Sequence, residues 1–213
     1  MPSQATRPAW RAAATDLADR HRVLARLHDR HGPPALRPGA VPGRRFEALA
    51  SSIAYQQLAG RAASTIWGRV LGVVGRPFTP EAVLAAGPER LRSAGLSGAK
   101  TAALLDLAVK VDDGTLRLDR VARLSDQDVI DHLTVVRGIG PWTAQMFLLF
   151  DLRRLDVWPT GDYGVRAGLA RAHGWEGAPT EKEMVALGEP YAPYRSVVAW
   201  WCWREVDTAT PGG

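Results

Sequence analysis

An all-α fold is predicted for this chain, and three observations carry that reading. Apolar residues recur at intervals of three and four almost throughout the 213 residues, the spacing of one helix face. No stretch alternates apolar and polar residues as a half-buried strand would. Proline with an acid, or a small hydroxyl residue ahead of an apolar run, recurs where such helices would begin.

The elements follow in order. A first helix is expected over about 15–31, where Leu17, Val23, Leu24 and Leu27 supply the apolar face. His28 and His31 fall in the polar part of that helix and are expected at the surface. The Gly- and Pro-rich segment 32–45 is a connector. Phe46 opens a helix to about Gln57, and another runs from near Arg61 to Val74. Thr79-Pro80-Glu81 and Gly87-Pro88-Glu89 each start a short helix, since proline and an acid suit a first turn. Ser97 caps a helix containing Lys100 through Val111, and Asp112-Asp113-Gly114 turns the chain after it. Ser125 and Asp128 have capping-box spacing, with Asp in place of Glu or Gln. Three more helices are expected over 162–172, from about Thr180 to Leu187, and from about Tyr194 to Val206.

Residues 133–144, Leu-Thr-Val-Val-Arg-Gly-Ile-Gly-Pro-Trp-Thr-Ala, join two of these helices. Gly138 and Gly140 flank apolar Ile139 and allow a tight reversal. Pro141 is preorganised for the first position of the next helix, whose apolar run is Met146 to Phe150. A helix start whose amides face outward is a ready site for a phosphate oxygen. A plain helix-turn-helix connection is the alternative for the hairpin alone. Asp162 follows in Pro159-Thr160-Gly161-Asp162-Tyr163. Taken by itself, it reads as an acid favoured in a first helical turn by the macrodipole.

Composition narrows the classes. The formal charge of +5 fits an anionic partner. It comes almost wholly from arginine, whose planar fork suits phosphate, because the only lysines are Lys100, Lys110 and Lys182. One cysteine, Cys202, excludes an intramolecular disulfide and a four-cysteine iron–sulfur cluster. The histidines show no zinc spacing, and no apolar run reaches membrane-spanning length. A soluble, intracellular protein of the cytoplasm, on the nucleoid if bacterial, is the expectation.

The hairpin, the Pro-x-Thr-Ala helix start and Asp162-Tyr163 behind it together resemble the helix-hairpin-helix DNA glycosylase superfamily. Within it the chain looks most like the 3-methyladenine DNA glycosylase II branch, which excises alkylated bases. The resemblance implies two helical lobes, 46–154 carrying the hairpin and 1–45 with 155–213 packed as the second, with the base bound in an interlobe cleft. It implies Asp162 as the catalytic carboxylate, and a base pocket of Trp142, Tyr163, Trp203, Met146 and Gly164. Core packing is the alternative for the tryptophans. Because Gly164 has no side chain and Met146 is flexible, a wide, permissive pocket is expected. The implied partner is double-stranded DNA containing alkylated bases, bound by a monomer without a required cofactor.

On the DNA side, Gln57 and Leu58 end a stretch, Ser52 to Leu58, similar to the family's Gln-Leu loop, with Leu58 as the wedge that fills the gap left by a flipped base. Arg137, Gly138, Ile139, Gly140 and Thr143 would meet the backbone. Arg137 stands where proline is more usual, which adds a cation and predicts a less rigid hairpin. A monovalent cation, Na+ or K+, would sit on the carbonyls of Thr134, Val136 and Ile139. Strand-cutting relatives carry a nucleophilic lysine where this chain has Trp142, so glycosylase activity without lyase activity is implied. Lys100 and the segment Tyr194-Arg195-Ser196 also match family segments and are read as structural. Two other readings stay open: a non-catalytic helix-hairpin-helix module, and a glycosylase for oxidised or mismatched bases.

Overall fold

The fold is that of a computed structural model, in which residues 5–37, 39–58 and 60–207 are described. Those residues form helices and turns and no strand, as the periodicity predicts. The order is α1 (Arg7–Arg20), α2 (Arg22–His31), α3 (Arg45–Tyr55), α4 (Gly60–Val74), α5 (Pro80–Ser93), α6 (Gly98–Asp112), α7 (Asp126–Thr134), α8 (Pro141–Met146), α9 (Tyr163–His173), α10 (Glu181–Gly188) and α11 (Arg195–Asp207). No helix among them is long and apolar enough to cross a membrane.

The first expected helix is corrected. Helical structure begins earlier, at Arg7, where the Thr6 hydroxyl accepts from the Ala9 amide and Pro8 sits in the first turn. It then breaks at His21, which is extended (φ −154°, ψ 132°) and caps α2 by accepting the Val23 amide on Nδ1. Apolar spacing is blind to a histidine serving as an N-cap, because the break leaves the apolar face in phase on both sides. Elsewhere the local signals hold. Ser97 accepts from the Lys100 amide, and α5 is two short helices end to end, with Gly87 at φ +70° ahead of Pro88. At Ser125 only half the capping box forms. The Ser125 hydroxyl accepts the Asp128 amide, but the Asp128 carboxylate takes the hydroxyl at 2.6 Å. Thr180 and Glu183, with the longer acid, complete both halves.

The chain divides into two compact units. Residues 40–147 form one, whose core includes Phe46, Leu49, Ile53, Leu91, Leu104 and Leu133. The described residues of 3–39 and 148–213 form the other, around Trp10, Leu17, Leu24, Leu148, Leu169 and Trp201. The divisions fall a few residues before 46 and 155, since Leu148, Leu149 and Leu152 are buried with the second unit. His31 is also not at the surface. Its side chain is 3% exposed, and Nε2 lies 2.6 Å from Oε1 of buried Glu205, which also accepts both its oxygens' bonds from Arg30. A polar helix position is buried here because a carboxylate on α11 faces it, and an acid 174 residues away leaves no local trace.

Candidate active site

The hairpin is built between α7 and α8. Two turn hydrogen bonds carry the chain round, from the Val136 amide to the Leu133 carbonyl and from the Ile139 amide to the Val136 carbonyl. Val136 and Ile139 are buried and anchor the loop, while Arg137, Gly138 and Gly140 are exposed at its tip. Gly138 sits at φ +78°, and a Cβ there would lie 3.1 Å from the Ala103 Cβ of α6. The left-handed conformation favours glycine, and the space for a side chain is tight. Gly140 caps α8 with no side-chain hydrogen bond, and Pro141 follows at once. Only the backbone of Ile139 can meet a ligand, since its side chain is in the core. Of the carbonyls expected to hold a cation, those of Thr134, Val136 and Ile139, that of Val136 also accepts the Ile139 amide.

Arg137 does not loosen this loop. Its amide, which a proline would lack, donates to Asp106 Oδ2 at 2.7 Å, and Asp106 Oδ1 takes Lys110 from the next turn of α6. The carboxylate thus ties the hairpin to α6. Burial disfavours its charge, but the hydrogen bonds from Lys110 and the Arg137 amide outweigh that and hold its pKa below the usual carboxylate value. With a lowered folded-state pKa, this tie is present at neutral pH and is lost as pH falls through the lowered value. Asp106→Ala is expected to weaken binding to undamaged duplex by about three- to tenfold, a charged hydrogen bond discounted for partial exposure. Fluorescence anisotropy reads this, and unchanged affinity would dismiss the tie as irrelevant to DNA.

Beside the hairpin lies the loop after α3. Gln57 adopts a left-handed conformation at φ +57°, costly for a residue with a Cβ, and Leu58 is 39% exposed. A neighbour that sequence reasoning passed over secures them. Gln56 Nε2 donates to the Gly138 carbonyl at 3.0 Å and to Thr143 Oγ1 at 3.3 Å. Lys100 Nζ donates to the Ala54 carbonyl at 2.8 Å, capping the end of α3 as a structural lysine would. Partial burial lowers its pKa. The only hint of Gln56 in the sequence is the doubled glutamine. Thr143, expected at the DNA, is buried with its hydroxyl engaged by Gln56, so its side chain acts inside the protein. A groove of about 580 Å³ is lined by Tyr55, Gln56, Gln57, Trp142, Thr143 and Met146, and Trp142 is 47% exposed within it.

In the second unit Asp162 is the N-cap of α9. Its Oδ1 accepts the Val165 amide at 2.9 Å and the Trp203 indole N–H from α11, also at 2.9 Å. Trp203 in turn stacks on Phe150, with ring centroids 5.7 Å apart and planes at 26°. Tyr163 is exposed, with the Arg166 guanidinium 5.7 Å from its ring centre. Gly164 does not open space. A Cβ there would meet Trp203 Cδ1 at 3.0 Å and Asp162 Oδ1 at 3.1 Å, so Trp203 already fills the room a side chain would take. That removes one of the two grounds for a wide pocket.

Among the described residues, a glycine hairpin between two helices, with an aspartate that caps a later helix, points to a class of DNA-repair protein. The chain belongs to the HhH-GPD superfamily of base excision DNA repair proteins, whose family model matches residues 50–193. Among curated relatives, DNA-3-methyladenine glycosylase 1 of Schizosaccharomyces pombe is 34% identical over 75% of this chain and 71% of its own length. Among solved structures, the DNA-3-methyladenine glycosidase of Bacillus halodurans superposes with a TM-score of 0.81 at 33% identity, covering 92% of this chain and 90% of that one. The Schizosaccharomyces pombe 3-methyladenine DNA glycosylase in complex with abasic DNA gives 0.78 at 30% identity, covering 91% and 95%.

Proposed function

We propose that this protein is a monofunctional DNA glycosylase that flips out and hydrolytically excises N-alkylated bases in base excision repair. The observation that carries the reading is Asp162, a half-buried N-cap whose Oδ1 is held by two N–H donors, in the position behind the hairpin. Breaking an N-glycosidic bond builds positive charge on the sugar as the base leaves. A carboxylate held in place stabilises that charge without reorganising, and it orients the attacking water. An N-alkylated purine already carries positive charge and leaves readily, so no separate general acid is needed.

In this reading an exposed ring, Trp142 beside Met146 or Tyr163 at the start of α9, recognises a cationic base, each cation–π contact contributing roughly 0.5–2 kcal/mol. The hairpin tip, through Arg137, Gly138 and Gly140, meets the phosphate backbone. Substrates are 3-methyladenine and 7-methylguanine, extending to 1-methyladenine and 3-methylcytosine, which are also cationic. With Gly164 filled, that breadth rests on the adaptable Met146. Alkali-revealed strand cleavage of duplexes carrying single defined lesions tests the whole reading. No release from any alkylated duplex would leave a binding module.

Leu58 is assigned the wedge. Its exposure, on a loop held by Gln56 and Lys100, leaves an apolar side chain projecting from a fixed backbone. Flipping a paired base costs a few kcal/mol, so a wedge matters only where there is a stack to fill. Leu58→Ala is expected to slow excision from duplex about tenfold, a loss of roughly 1.4 kcal/mol, and to spare excision from single strands. Equal losses on both substrates would make Leu58 a packing residue.

A further inference from the structure

Trp203 joins Asp162 through a contact made at close quarters between α9 and α11. At Gly168 the two helices approach so nearly that a Cβ would lie 2.0 Å from the Cys202 carbonyl oxygen. One turn earlier on the same face of α9 is Gly164, against which the Trp203 ring is laid. Cys202, Val198 and Trp201 are buried, so α11 has no freedom to slide. The indole also stacks on Phe150. Its one polar atom is directed to Asp162 Oδ1.

A carboxylate bonded only by its own cap amide can still turn about its Cβ–Cγ bond. With two donors on the same oxygen, one from α9 and one from α11, that rotation is stopped and the carboxylate plane is fixed. From this we infer that Trp203 is a positioning residue, whose indole N–H sets the orientation of the Asp162 carboxylate, and that Gly164 is the space that lets it do so. The inference rests on the assignment of Asp162 as the catalytic carboxylate. It differs from a role as pocket wall, in which the ring face would act on the base and the N–H would be incidental.

Trp203→Phe keeps a ring to stack on Phe150 and removes the donor. Under single-turnover conditions it should slow release of 7-methylguanine about ten- to a hundredfold, the range for loss of a hydrogen bond to a charged group. Affinity for duplex containing a tetrahydrofuran abasic analogue should stay within about twofold, since binding does not use the N–H. Gly164→Ala supplies the second arm. It adds one methyl group where Trp203 Cδ1 and Asp162 Oδ1 already lie at 3.0 and 3.1 Å, and alanine is favoured in a helix, so it should slow release several-fold without lowering the melting temperature.

The decisive comparison is the pair. In Trp203→Phe the bond is already gone, so adding Gly164→Ala should cost little more, a non-additivity expected only of residues acting through one contact. A wild-type rate for Trp203→Phe would overturn the inference. So would fully additive losses, or a loss confined to abasic-DNA affinity. Loss of the Asp162 assignment itself would show separately, as turnover retained by Asp162→Asn.

Discussion

Asp162→Asn is expected to lower the single-turnover rate of alkylated-base release by about a hundred- to a thousandfold, the usual consequence of removing one preorganised electrostatic group, roughly 2.7–4 kcal/mol. The amide is nearly isosteric, and its oxygen can still accept the Val165 amide and the Trp203 indole. The N-cap therefore survives, because asparagine caps as well as aspartate. Folding and DNA affinity should change little, because only the carboxylate's charge is lost. The measurement is release of 7-methylguanine from a defined duplex, with a melting curve and an anisotropy titration alongside. Turnover within a few-fold of wild type would remove Asp162 from the mechanism, and the family fold would then be serving another carboxylate or another purpose.

The second large effect is an absence of covalent chemistry. Incubation with alkylated duplex and borohydride should trap no protein–DNA adduct, and the product strand should stay intact until treated with alkali. A Schiff base needs an uncharged amine at the sugar, and on the proposed assignment the position that would carry it holds Trp142. The three lysines are otherwise placed. Lys100 is bonded to the Ala54 carbonyl, Lys110 to Asp106, and Lys182 lies in the first turn of α10. Lys100 is the one to watch, because partial burial lowers its pKa and increases its neutral fraction. Efficient trapping that disappears in Lys100→Met would show a bifunctional enzyme and refute the monofunctional reading.

Much of this protein was legible because its signals are local. Helix starts at Ser97, Ser125 and Thr79 depend on one side chain reaching an amide three residues on, so the sequence states them in full. The hairpin is equally local, since two glycines, a proline and an apolar residue suffice to turn and anchor it. Asp162 stood out by its spacing behind that hairpin. Helical periodicity settled the all-α class, although it ran two helices together at His21, where the break leaves the apolar face in phase.

Contacts between residues far apart in the chain were decided only by the tertiary structure. Gln56 meets Gly138 across 82 positions, Asp106 meets the Arg137 amide across 31, and Trp203 meets Asp162 across 41. His31 is buried because Glu205 is there, and Gly164 is small because Trp203 occupies its space. A hydrogen bond or a filled volume belongs to two partners at once, and a linear pattern records each residue without its partner. The sequence by itself determined which residues can turn the chain, cap its helices and carry charge; packing decided which of them hold Asp162 and the hairpin in place, because helix crossings bring side chains together by geometry rather than by order along the chain.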